Sequence, residues 1–260
     1  EQGAQDGIYP LAVSFSICPE KAEPKGFFYY SKELNMENVA VLVDGAFFIK
    51  RALHIFGPLE PNDLADKLWK YAEKHTHYGK SKSHKNRLYR IFFYDCPPLQ
   101  NKVFDPYHQN QIDMAKSPKS IWRLNFHSAL KKKRKVALRL GHIDDVNISW
   151  RVSYRKIKQL CAGTIQWNDL TPGDFSMDVK QKGVDMRIGI DITSLALKKQ
   201  VSQIVLISGD SDFVPAAKFA RREGIDFILD PMWAPIKDDL YEHIDGLQST
   251  FPKPKYIKNN

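Results

Sequence analysis

Val39-Ala40-Val41-Leu42-Val43-Asp44-Gly45 and Ile204-Val205-Leu206-Ile207-Ser208-Gly209-Asp210-Ser211-Asp212 share one plan, an unbroken apolar run ending in a turn that carries acids. A strand with one wet face alternates apolar and polar residues. These runs do not alternate, which is how strands covered on both faces of a parallel sheet read. Working outward, residues 47–56 and 61–76 show helical spacing, with Leu64, Leu68 and Tyr71 or Ala72 on one stripe. A third apolar run, Leu88 to Tyr94, is stopped by Asp95 and the Cys96-Pro97-Pro98 turn. Residues 183–199 predict a helix that turns Ile188, Ile192 and Leu195 inward. Residues 213–223 predict another, closed by Gly224, and 225–229 a strand before Asp230-Pro231. Strands alternating with helices predict an α/β fold, a three-layer sandwich around a central, mainly parallel sheet.

Residues 1–36 show no periodicity and read as an extension or leader. The domain is expected over 37–247, with a large insertion at about 99–181 and a C-terminal tail at 248–260. Within the insertion a helix near 120–133 and a β-like 136–140 are expected. With 43% hydrophobic residues the chain reads as folded rather than disordered. Cys18, Cys96 and Cys161 are far apart and form no CxxC pair, so neither a zinc cage nor a disulfide framework is indicated, and a reducing cytoplasm is expected. No apolar run approaches the ~20 residues of a membrane-spanning helix.

The chemistry concentrates in the acids. In open parallel sheets, sites form beyond the carboxyl ends of strands, where the strand order reverses. Asp44 ends one apolar run and Asp210 with Asp212 end another. If those strands are neighbours, the carboxylates converge, and their repulsion calls for a cation. Hard oxygen ligands favour Mg²⁺ or Mn²⁺ over zinc. Asp185, in the first turn of the 183–199 helix, supplies a fourth acid beside Lys182. Asp191 points away from the Asp185 face and is assigned a supporting or capping role, as is Ser208 in the turn between the strand and Asp210. Each acid also has a structural reading as a turn former or helix cap; Asp95 and Asp230, both followed closely by prolines, are read as turn residues only.

The blocks Val41-Leu42-Val43-Asp44-Gly45, Lys182-Gly183-Val184-Asp185-Met186 and Leu206-Ile207-Ser208-Gly209-Asp210-Ser211-Asp212-Phe213-Val214-Pro215 resemble the signature of NYN domains, a PIN-like branch of the flap-nuclease-related metal-dependent ribonucleases. The resemblance implies a PIN-like sandwich, Mg²⁺- or Mn²⁺-dependent hydrolysis of RNA phosphodiesters, and Asp44, Asp185, Asp210 and Asp212 as the catalytic and metal-holding set. Phe47 departs from the pattern, since many members carry Asn there. Three other readings stand beside this one: a non-catalytic RNA-binding module on the same fold, a nuclease acting on DNA or a phosphatase, and a metal-free site built from His75, His77 and His84.

The formal charge of +9 agrees with a polyanionic partner, and its densest part runs from Lys116 to Arg139 without one acid. Lys131, Lys132, Lys133, Arg134 and Lys135, together with Lys182, are the expected RNA contacts. The aromatic residues Trp122, Phe126, Trp150 and Trp167 stand as stacking or packing residues. The sequence leaves oligomeric state open, a homodimer included.

Overall fold

The computed structural model describes residues 37–78 and 84–254. The extension expected at 1–36, including Cys18, lies outside the described residues, as do the side chain of His84 and the last six residues of the expected tail. The core is a six-stranded sheet made of β1 (Asn38–Asp44), β2 (Arg87–Asp95), β3 (Val136–Leu140), β4 (Gln203–Ile207), β5 (Asp226–Asp230) and β6 (Gly246–Leu247). Every pairing in it is parallel, and the order is β6-β5-β4-β1-β2-β3. The chain therefore builds outward from β1 to one edge, then returns to the other side of β1 and builds to the opposite edge. The reversal falls between β1 and β4, where Val43 pairs with Ile207. A crevice at the carboxyl ends of those two strands is the consequence.

The strands read as apolar because both faces are covered. Helices α1 (Gly45–Phe56), α2 (Pro61–Lys74) and α3 (Pro118–Lys131) cover one face. Phe48, Leu68, Tyr71 and Phe126 pack there on Val41, Val43 and Ile91. After the short surface helix α4 (Tyr154–Cys161), the other face is covered by α5 (Val184–Leu197), α6 (Val214–Arg222) and α7 (Asp238–Tyr241). Ile188, Ile192, Ala217 and Leu240 meet Leu42, Leu206 and Phe227 there. The expected three-layer α/β sandwich is the fold found.

Two segments lie differently from expectation. The stretch at 99–181 is not outside the core throughout, because α3 and β3 form a crossover that adds the edge strand beside β2. Only its flanks, with two-stranded hairpins at 102–113 and between 149–152 and 175–178, stand apart from the sheet. Beyond residue 247 the chain stays on the core: the ring of Phe251 stacks on Tyr71 at 3.6 Å, and Thr250 donates its hydroxyl to the Tyr71 carbonyl.

Candidate functional site

Asp44 is the last residue of β1 and the N-cap of α1. Its carboxylate accepts the Phe47 N–H at 3.1 Å and the Ser208 hydroxyl at 3.3 Å. Gly45 lets β1 turn at once into α1, since a Cβ there would lie 2.5 Å from the Tyr94 carbonyl. Across the switch point Ser208 is wholly buried, and its Oγ also accepts the Asp210 N–H at 3.3 Å. Asp210 caps the single 3-10 turn Ser211–Phe213 by accepting the Asp212 N–H at 3.1 Å. One hydroxyl therefore ties the β4 turn to the β1 carboxylate. Asp185 enters from the side, in the first turn of α5, after Gly183 takes a left-handed φ of 80°.

Two of the four carboxylates, Asp44 and Asp185, are perturbed by their surroundings. Burial pushes the Asp44 carboxyl above its ordinary pKa, the hydrogen bonds from Phe47 and Ser208 oppose that, and the charge of Asp185 adds to it. Asp185 is also raised, first by desolvation and then by the charges of Asp210 and Asp212. Its surface is largely exposed, so solvent screens much of this, but the direction follows from the geometry. Among the described residues, none of the four forms an ion pair, whereas Asp95, Asp144, Asp174, Asp191, Asp230 and Asp245 all do. Like charges gathered without a protein counter-charge fit a hard divalent cation in donor chemistry. In their present rotamers Asp44 and Asp210 cap backbone N–H groups, and among the described residues no three acid, histidine or cysteine side chains are grouped as a ready ligand shell.

Asp191 lies deeper on α5. It accepts the Tyr94 hydroxyl at 2.8 Å and pairs with Arg139 Nε at 3.2 Å, and the Arg139 guanidinium also lies over the Phe92 ring. Burial, then the charge of Asp191, holds the Tyr94 hydroxyl far above the usual phenol range, so it stays a donor. Since Tyr94 pairs with Asp44 across β1 and β2, this network fixes α5 against the strand that carries the first carboxylate.

Several sequence-read residues sit elsewhere. Lys131 to Lys135 precede β3, at the amino end of the sheet, while Asp44 and Asp210 occupy the carboxyl end. Lys133 pairs with Asp66 and the Lys135 ammonium bonds the Leu88 carbonyl, leaving Lys131, Lys132 and Arg134 exposed. Lys182 pairs with Asp144 at 2.6 Å. His75, expected in a metal-free histidine site, has a buried side chain with Nε2 2.8 Å from Asp230. Asp95 and Asp230 are more than turn residues. Asp95 is buried against His127 at 2.7 Å and Arg123 at 3.3 Å. Asp230 receives Tyr71, His75, Ser249 and the Met232 N–H. Of the aromatic residues, Phe126 is core and Trp122 donates to the Leu59 carbonyl, whereas Trp167 is exposed. Arg139 was read only as the end of the basic run, and Lys237, whose ammonium lies 3.3 Å from the Ser211 hydroxyl, carried no signal, since it is 26 residues from that turn in the chain.

A parallel six-stranded sheet covered by helices on both faces defines a three-layer α/β sandwich. The family model of the NYN domain matches residues 152–235, a span that holds Asp185, Asp210 and Asp212. Asp44 stands outside the matched span. No curated protein matches the chain. Among solved structures, it is similar to a crystal structure of a protein of unknown function from Vibrio parahaemolyticus, at 16% identity and a TM-score of 0.42, covering 82% of this chain and 91% of that one.

Proposed function

We propose that the chain is a ribonuclease that hydrolyses RNA phosphodiester bonds with a divalent cation, Mg²⁺ or Mn²⁺, held by Asp44, Asp185, Asp210 and Asp212. One observation carries the reading: Ser208 links the Asp44 carboxylate to the turn that presents Asp210, the charge of Asp185 acts on Asp44 and those of Asp210 and Asp212 act on Asp185, and among the described residues none of the four forms an ion pair. A bound cation would supply charge for the leaving oxygen and an acidified water. The protein's own part is positional. Ser208 holds the Asp44 carboxylate in register with the Asp210 turn, the Tyr94–Asp191–Arg139 network steadies α5 and with it Asp185, and Lys237 brings a cation to the edge of the acidic turn.

The test is cleavage of single-stranded, hairpin and transfer RNAs by the purified protein with Mn²⁺, Mg²⁺ or EDTA, beside Asp44→Asn and Asp185→Asn. Calorimetric titration of Mn²⁺ into each protein reads binding independently of turnover. Metal-dependent cutting lost in both variants, together with weakened Mn²⁺ binding, is the expected result. RNA binding without cutting under every metal favours a non-catalytic RNA-binding module, a reading that Phe47 supports: its ring, not a polar side chain, lies where a Cβ on Gly209 would meet it at 3.0 Å.

A further inference from the structure

After β5 the chain turns through Pro231, Met232, Trp233 and Ala234, closed by the Ala234 N–H on the Pro231 carbonyl at 2.8 Å. Both central residues are left-handed, with φ of 47° at Met232 and 62° at Trp233. Two positive φ values in succession define a type I′ turn, whose positions favour Asn and Gly because a Cβ is strained there. Here they hold two of the bulkiest side chains available. Met232 is wholly buried in the core, so packing accounts for it. Trp233 is 41% exposed, and packing does not.

The turn is fixed on every side. Arg51 of α1 donates from Nε and from its terminal nitrogen to the Met232 carbonyl, at 3.1 and 2.7 Å. The Trp233 N–H is held by the Ser249 hydroxyl, and the indole N–H donates to the Phe251 carbonyl at 2.8 Å. The ring's polar edge is thus satisfied by the protein and its orientation set, while the ring itself stays partly exposed. The Lys253 ammonium lies over one face of it, 5.8 Å from the ring centroid. The turn also borders the carboxylates: β5 neighbours β4, Asp230 pairs with Ile207, and Lys237 reaches back to Ser211 between Asp210 and Asp212.

We propose that Trp233 is a stacking platform for a nucleobase of single-stranded RNA whose backbone runs on into the acidic crevice, with Lys253 and Lys237 facing its phosphates. This rests on the RNA reading above and adds to it a site for an unpaired base beside the cleavage point. An indole with its donor satisfied reads no base edge, so the preference it gives is for unpaired over paired RNA rather than for one sequence.

The experiment uses the full chain carrying Asp210→Asn to prevent cutting, with fluorescence anisotropy of end-labelled oligouridylate and of a blunt RNA duplex, for Trp233 as found, Trp233→Phe and Trp233→Ala. Expected is a loss of about 5- to 100-fold in affinity for the single strand with Trp233→Ala, a smaller loss with Trp233→Phe, and little change for the duplex. Equal affinity of all three proteins for the single strand overturns the proposal. If Trp233→Ala fails to fold by circular dichroism, photocrosslinking of 4-thiouridine RNA to the unsubstituted chain decides. A crosslink at Trp233 supports the platform; crosslinks confined to other peptides refute it. Stacking without metal-dependent cutting would remove the nuclease reading and leave the platform, whereas cutting that is indifferent to Trp233→Ala removes the platform alone.

Discussion

Asp44 does two things that pull in opposite directions, capping α1 and carrying charge into a place that penalises charge. A carboxyl whose pKa is raised on folding binds its proton more tightly in the native state than in the unfolded chain. Native stability therefore falls as pH climbs from the unfolded value near ~3.9 through the raised one, and the loss persists above it. Asparagine can still accept the Phe47 N–H without the charge. Asp44→Asn in EDTA is accordingly expected to melt at or above the temperature of the unsubstituted protein at pH 7, with the advantage vanishing near pH 4, while cleavage drops about 100-fold or more. Thermal scans at both pH values check this, and a lower melting temperature at pH 7 would mean that the carboxylate is a net structural asset. Its neighbour Gly45 is constrained by backbone: Gly45→Ala puts a Cβ against the Tyr94 carbonyl and the Phe93 ring, and about 1–3 kcal/mol of stability should be lost in urea unfolding. Gly209→Ala meets only the movable edge of the Phe47 ring and should cost less. That Asp44 ends a strand was legible from the apolar run before it. That its carboxylate leans on Ser208 was not, because the hydrogen bond joins residues 164 apart in the chain.

Elements whose sequence obeys one period were read closely, and those whose meaning depends on a distant partner were not. The run at 39–43 and the stripe on α2 announce themselves, whereas β3 is an edge strand whose run is broken by the half-exposed Arg139, and so read as part of an insertion. Asp95 and Asp230 were misread for a related reason. Proline close behind each suggests a turn, but His127 lies 32 residues from Asp95, and His75 lies 155 residues from Asp230. Asp230 clamps α2 through Tyr71 and His75, and the last described segment through Ser249, so its loss strips several buried donors of their acceptor at once. Asp230→Ala should cost about 3–5 kcal/mol in urea unfolding. It should also free the turn after β5. If the variant unfolds at the midpoint of the unsubstituted chain, Asp230 is a surface turn residue after all and the clamp is wrong.

Charge is divided along the sheet axis, with the four carboxylates at the carboxyl end and the exposed Lys131, Lys132 and Arg134 at the amino end. β3 keeps register with β2 from Val136 opposite Ile91 to Leu140 opposite Asp95, so the two groups are separated by at least the strand's length, about 15 Å at ~3.3 Å per residue. A linear reading of the sequence saw the density of the basic run and could not see this separation, because the run's place follows from the direction in which 136–140, read as β-like but assigned to an insertion, joins the central sheet. RNA long enough to reach both ends would gain from the run by counterion release, and a tetranucleotide seated at the carboxylates would not. Converting Lys131, Lys132 and Arg134 together to Gln should therefore weaken binding of a long single strand and make its salt slope shallower by about 0.7 for each phosphate no longer neutralised, while cleavage of the tetranucleotide stays unchanged. Equal losses on the two substrates would mean that the run acts at the crevice itself, against the register of β3. No change on either would take these three cations out of the path of the RNA.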